Sequence, residues 1–181
     1  KNYGDSWKRI DSDLPEDSFA RVVREDKSKQ GLLYAGTETE LFISFDDGDN
    51  WQSLHLNLPP VPITDLTIRQ GDLVVATQGR GFYVMDNISI FSQIADDQAE
   101  KELHVLNPSP TMMVTGRRDG SNIEGKNPPN GVILSYHIKD DQEGPLSIDI
   151  LDSLGTLVRH YSSEESARDR CVIGNMSPRQ K

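Results

Sequence analysis

The densest group of chemistry-capable side chains is Asp46, Asp47 and Asp49 around Gly48, set between Ser44 and Trp51. A calcium loop of the EF-hand kind needs the order D-x-[DN]-x-[DN]-G with a glutamate at the twelfth position, and this order is different. The residue types fit a turn scaffold instead. An aspartate at a turn accepts backbone N–H groups, a glycine supplies a backbone angle that other residues resist, and a tryptophan packs its ring beneath the hairpin. Glycoside hydrolysis needs two carboxylates ~5–9.5 Å apart, a separation that spacing along a chain does not define, and most of the 29 acidic residues must be solvated. An enzyme that grips a substrate carboxylate would need clustered arginines. Arg21, Arg24, Arg69 and Arg80 are available, and their spacing singles out no cluster. Arg80 stands between Gly79 and Gly81, where backbone can approach a neighbour closely. It is expected to bond carbonyls of an adjacent sheet or to touch a ligand.

The remaining candidates carry less. His55, His104, His137 and His160 are dispersed, without H-x-x-x-H or HExxH spacing, so no metal centre is expected. Cys171 is the only cysteine, which excludes an internal disulfide, a CxxC redox pair and a thiolate zinc site. No G-x-S-x-G nucleophile elbow occurs. Asn87-Ile88-Ser89 and Asn175-Met176-Ser177 satisfy the glycosylation sequon, which matters only in a eukaryotic secretory host. No catalytic residue and no cofactor is expected from this chain.

Charge narrows the partners. With 19 Lys+Arg against 29 Asp+Glu the chain carries a formal charge of −10, and its longest basic run is Arg117-Arg118. A phosphate-binding face needs clustered Lys and Arg, so nucleic acid is excluded. No run approaches the ~18 apolar residues of a membrane span. The chain starts at Lys1 without a signal-like segment, which reads as a piece of something longer.

The elements that position these residues are strands. Short apolar runs at Phe19–Val23, Leu32–Ala35, Leu41–Phe45 and Trp51–Leu54 are followed by Ile63–Ile68, Leu73–Ala76 and Phe82–Met85. Leu32–Asp47 lies without gaps on Asp72–Asn87, each residue 40 positions later, with Leu33 on Leu73, Thr37 on Thr77, Phe42 on Phe82 and Asp46 on Asp86. GDSW at Gly4–Trp7 recurs as GDNW at Gly48–Trp51. Four short strands per ~40–45 residues is the period of a β-propeller blade. The polar stretch Ile90–Glu102 reads as a connector and the best helical candidate. Beyond it Leu103–Leu106, Thr111–Thr115, Val132–Ile138, Leu146–Leu151 and Thr156–Tyr161 are strand candidates. Asp152-Ser153-Leu154-Gly155 is a tight hairpin turn between the last two. The expected architecture is all-β: incomplete propeller blades over 1–88, a linker over 89–101, and an immunoglobulin- or fibronectin-like β-sandwich over 102–181, truncated or frayed after Tyr161.

SFDDGDNW resembles the Asp-box, S/T-x-D-x-G-x-T/S-W, at Ser44, Asp46, Gly48 and Trp51, with Asn50 in place of Thr or Ser. Gly4, Ser6 and Trp7 form a worn second copy, in which Asn2 stands where the Asp belongs. GLLYAGTETELFISFDDGDNW, PITDLTI and DLVVATQGRGFYVMDN together are similar to the last blades of the sortilin-like bacterial BNR-repeat proteins often labelled glycosyl hydrolases. KNPPNGVILSYHI and LSIDILDSLGTLVRHY resemble the sandwich that follows. Gln78 replaces an expected His. The resemblance implies an extracytoplasmic protein that binds protein or glycan ligands, whose further blades complete the ring. The alternative it implies is a sialidase- or xyloglucanase-like glycosidase with its catalytic residues elsewhere, and a third is a module anchoring the propeller through the sandwich.

Overall fold

Glycine at position 36 decides how two sheets meet. The computed structural model describes residues 3–11, 13–94, 103–111, 131–138 and 145–163. Within it β1 (Ala20–Glu25), β2 (Leu33–Thr37), β3 (Leu41–Ser44) and β4 (Gln52–Ser53) form an antiparallel meander in that order. The segments β5 (Ile63–Arg69), β6 (Asp72–Thr77) and β7 (Gly81–Met85) form a second one. The regular structure of the described residues is therefore mostly strand, in small antiparallel sheets with little helix, as the period-2 patterning and β-branched content require. A Cβ on Gly36 would lie 2.4 Å from Ile63 Cγ2 and 2.9 Å from Val22 Cγ1, so β5 is seated directly on β1 and β2. Arg24 fastens the contact: its Nε donates to the Leu66 carbonyl at 2.9 Å and its Nη2 to Asp65 Oδ1 at 2.7 Å.

Each face of the first sheet has its own core. Leu32, Tyr34, Leu41 and Ile43 pack with Ile63, Leu66, Leu73 and Val75 of the second sheet, and all are buried. The opposite face holds Leu33, Ala35, Phe42 and Trp51, with Ile10 and Leu14 laid across them. In the second sheet one face supplies Leu66, Leu73 and Val75 to the shared core, while Phe82 and Val84 on the other are 77% and 56% exposed.

The gapless offset of 40 holds for β2 and β6 but not for the strands after them. In the first sheet Ala35 pairs with Phe42, whereas in the second Ala76 pairs with Phe82. Gln78-Gly79-Arg80 is one residue longer than the Glu38-Thr39 turn, where the Thr37 N–H donates to the Glu40 carbonyl. One added residue slides β7 by one and turns its side chains to the other face. The Asp47 N–H donates to the Gly31 carbonyl at 2.8 Å, and the Ile88 N–H donates to Gly71 at the same distance: Gly31 and Gly71 are 40 apart, Asp47 and Ile88 are 41. Phe82 therefore corresponds in space to Leu41, not to Phe42.

β5 and β6 are joined by Gln70-Gly71, with φ of 54° and 87°. Positive φ at both central residues is the two-residue hairpin geometry that matches strand twist. After β7 comes the short helix α1 (Ser89–Ile94), overlapping the start of the Ile90–Glu102 stretch expected to connect; residues 95–102 lie outside the described residues. Then β8 (Leu103–Val105) pairs antiparallel with β9 (Tyr136–Ile138). Gln93 ties this segment to α1, exchanging hydrogen bonds with the Asn107 backbone at 2.8 and 3.2 Å, and Ser109 donates to Asn87 Oδ1 at 2.8 Å. The first compact unit runs from Lys1 to Lys139 and contains these bonds. The strand expected at Thr111–Thr115 falls, after Thr111, outside the described residues, as do Cys171 and the sequon at Asn175.

The second unit spans Asp140–Lys181. Its described part is one hairpin, β10 (Ser147–Leu151) paired with β11 (Leu157–Ser162). Asp152 Oδ1 accepts the N–H groups of Leu154 and Thr156, both at 2.8 Å, and Gly155 takes φ 81°. Those N–H groups, Thr156 first, hold the Asp152 carboxyl below its ordinary pKa.

Candidate functional site

The turn from Ser44 to Trp51 is built from its two short side chains outward. Ser44 is fully buried at the end of β3; its hydroxyl donates to Asp46 Oδ1 at 2.8 Å and accepts the Gly48 N–H at 2.9 Å. Asp46 also accepts the Asn50 N–H at 2.8 Å and the Asn50 side-chain amide at 2.6 Å. Asn50, where a Thr or Ser was expected, thus binds the same carboxylate from both backbone and side chain. Burial alone would raise the Asp46 pKa, yet the bonds from Asn50, Ser44 and the Asp49 backbone outweigh it and the net shift is downward. Asp47 and Gly48 turn the chain at φ 60° and 91°. Any Cβ at Gly48 would also meet Ile10 at 2.9 Å, so this position needs glycine for its angle and for its neighbour.

Trp51 then drops into the core, only 8% exposed against Leu33, Ala35 and Phe42. Its indole N–H donates to the Ile10 carbonyl, and its backbone N–H reaches Asp13 Oδ2 at 3.3 Å. Lys8 pairs with Asp49, and that hydrogen bond raises the lysine pKa. The segment before β1 is thereby strapped across the turn.

The first copy of the motif reproduces the backbone but not the burial. Tyr3 and Gly4 take φ 55° and 96°, the same pair of angles as Asp47 and Gly48. Trp7, however, is 92% exposed. Among the described residues no sheet lies beneath it, so Trp7 and Trp51 occupy unlike surroundings despite equivalent sequence positions. Ser6 has interactions of its own, and Asn2 lies outside the described residues.

Removing the Asp46 carboxylate is expected to cost about 1 kcal/mol, as for a lost capping side chain whose partners can still reach water. The sign of its pH dependence follows from the depressed pKa. The contribution is present above the ordinary value of 3.8 and is lost as pH falls through the lower folded-state value. Urea midpoints of Asp46→Ala and the parent chain should therefore differ at neutral pH and converge in acid; a constant difference would show that the carboxylate charge is irrelevant.

The arginines do not converge. Arg24 is engaged with Leu66 and Asp65, and Arg21 pairs with Glu38. Arg69 and Arg80 sit at opposite ends of β6, whose six residues span about 20 Å. Arg80 is exposed, flanked by Gly79 and Gly81 at φ 81° and 74°, and makes no hydrogen bond or ion pair with the described residues. Among the described residues no group of three or more metal-ligating side chains occurs. A shallow cleft of about 370 Å³ lies between the β1–β2 turn, the Gln70-Gly71 turn and the start of α1, lined by Asp26, Lys27, Ile68, Arg69 and Ile88 among others. Asp26 is committed to its own turn, accepting the N–H and hydroxyl of Ser28 at 2.7 and 2.6 Å.

Sequence reasoning missed the Gly36–Ile63 contact, the part Asp26 plays in its turn and the role of Asp13. The Asp-x-Ser spacing signals the second, since an aspartate two residues before a serine commonly closes such a turn. Nothing local signals the other two, because their partners lie on distant strands. No helix among the described residues is long and apolar enough to cross a membrane. No family model, curated protein or solved structure matches this chain.

Proposed function

We propose that this chain is the late part of a sortilin-like Asp-box β-propeller that acts outside the cytoplasm by binding protein or glycan ligands rather than by catalysis. One observation carries the reading: two meanders of like build stack so that one face of the second covers one face of the first. With the register slip allowed for, Phe82 and Val84 correspond to Leu41 and Ile43, which the second sheet buries completely or nearly so. A further sheet of the same build, on a longer form of the chain or on a partner, would bury Phe82 and Val84 in turn, and radial repetition of that step produces a propeller. The β10–β11 hairpin fits the sandwich that follows such propellers in the family this sequence resembles. Dispersed arginines and turn-bound aspartates support binding over hydrolysis. Arg80, free of described partners on a glycine-flanked loop, is the residue for ligand or neighbouring-sheet contact.

The test uses the full-length gene product. It should bind members of a glycan or extracellular-protein array and hydrolyse none of a glycoside panel. Hydrolysis abolished by replacing one channel carboxylate would establish the glycosidase alternative. A cysteine at position 82 should react with an alkylating reagent at least tenfold more slowly in the full-length protein than in the 181-residue chain; equal rates would remove the stacked-sheet premise.

A further inference from the structure

Two of the histidines that look dispersed along the chain are neighbours in space. In the β8–β9 pair His104 stands directly opposite His137. The Leu106 N–H donates to the Ser135 carbonyl at 2.8 Å, making Leu106 and Ser135 a hydrogen-bonded pair. Two residues along, His104 and His137 are the next such pair, with Cα atoms about 5.5 Å apart. Pleating puts both imidazoles on the face that carries Leu106, which is 3% exposed, and not on that of exposed Val105. Both histidines are half-buried. The Nδ1 of His137 is closed off from water and has no hydrogen-bond partner among the described residues, so Nε2 is the nitrogen of that ring that an ion arriving from water reaches.

We propose that His104 and His137 together bind a divalent transition-metal ion, one nitrogen from each ring, with water in the remaining positions. Imidazole pairs suit Cu(II), Ni(II) and Zn(II), and the general affinity order places Cu(II) first. Two protein ligands make an exchangeable site, unlike the four of a structural zinc centre. Its consequence is mechanical: the ion pins β8 to β9, strands that the long polar stretch after Thr111 separates in sequence. Protons compete with the ion for the ring nitrogens, so binding weakens in acid.

Copper added in substoichiometric amounts to the intact chain should broaden the ring C–H NMR signals of His104 and His137 before those of His55 and His160. In calorimetric titrations with Ni(II) or Cu(II), His104→Gln and His137→Gln should each weaken binding at least tenfold, while His160→Gln leaves it unchanged. The last control is needed because His160 faces Asp149 across the β10–β11 hairpin and is the competing ligand pair. Earlier broadening of His55 or His160, or wild-type affinity in both strand variants, would overturn the proposal. The NMR result does not depend on any variant folding.

Discussion

Trp51→Ala should destabilise the chain by about 3–5 kcal/mol, the usual cost of deleting a buried tryptophan, whereas Trp7→Ala should change stability by less than about 0.5 kcal/mol. The two residues close the same four-letter pattern, so sequence alone would assign them equal weight. Their surroundings differ completely: one is 8% exposed and the other 92%. Trp51 joins the sheet face of Leu33, Ala35 and Phe42 to Ile10, and its indole N–H is satisfied by the Ile10 carbonyl. Removing it leaves a cavity and an unpaired carbonyl together. Urea denaturation of the two variants at neutral pH measures the contrast. Equal destabilisation would mean that Trp7 is buried in solution. In a longer form of the protein that supplies a sheet beneath Trp7, the stacked-sheet reading expects the Trp7→Ala cost to rise towards that of Trp51→Ala.

Gly36→Val is the second large effect. Even the first added carbon would lie 2.4 Å from Ile63 Cγ2 and 2.7 Å from its Cβ, contacts with a stiff β-branched side chain fixed in β5. Neither partner can rotate away, so the sheets must separate. Overpacking of this kind costs about 1–3 kcal/mol for small insertions and more when backbone must move. We expect Gly36→Ala to lose about 2 kcal/mol and Gly36→Val enough to abolish a cooperative transition in the isolated chain. Ile63→Ala alone should also destabilise. Combined with Gly36→Ala it should cost less than the sum of the two, because each change makes room for the other. Additive losses in that cycle would show that the two sheets do not meet at this point.

Most strands were legible because strand formation leaves a local mark. Alternating apolar residues bounded by Gly, Asn, Asp and Pro located β1–β3, β5–β7, β10 and β11 to within a residue or two. The turn chemistry of Ser44, Asp46 and Gly48 was legible for the same reason, its hydrogen bonds running between residues no more than four apart. Errors arose where a long-range partner decides. The repeat looked gapless, yet a single extra loop residue before Gly81 moved Phe82 to the opposite face from Phe42. Likewise, the hydrogen bonds that Asn107 and Ser109 donate to Gln93 and Asn87, which tie the segment after Leu103 to α1 and the turn before it, leave no local mark.

By itself the sequence determined a mostly β chain, the places of its turns and the residue types of the turn from Ser44 to Trp51, since these depend on side-chain period and on bonds between near neighbours. Only the tertiary structure decided which tryptophan is a core residue, which sheet face is left uncovered, and that His104 and His137 meet. Burial and cross-strand pairing are properties of what the chain packs against, and a strand's own residues carry no record of its partner.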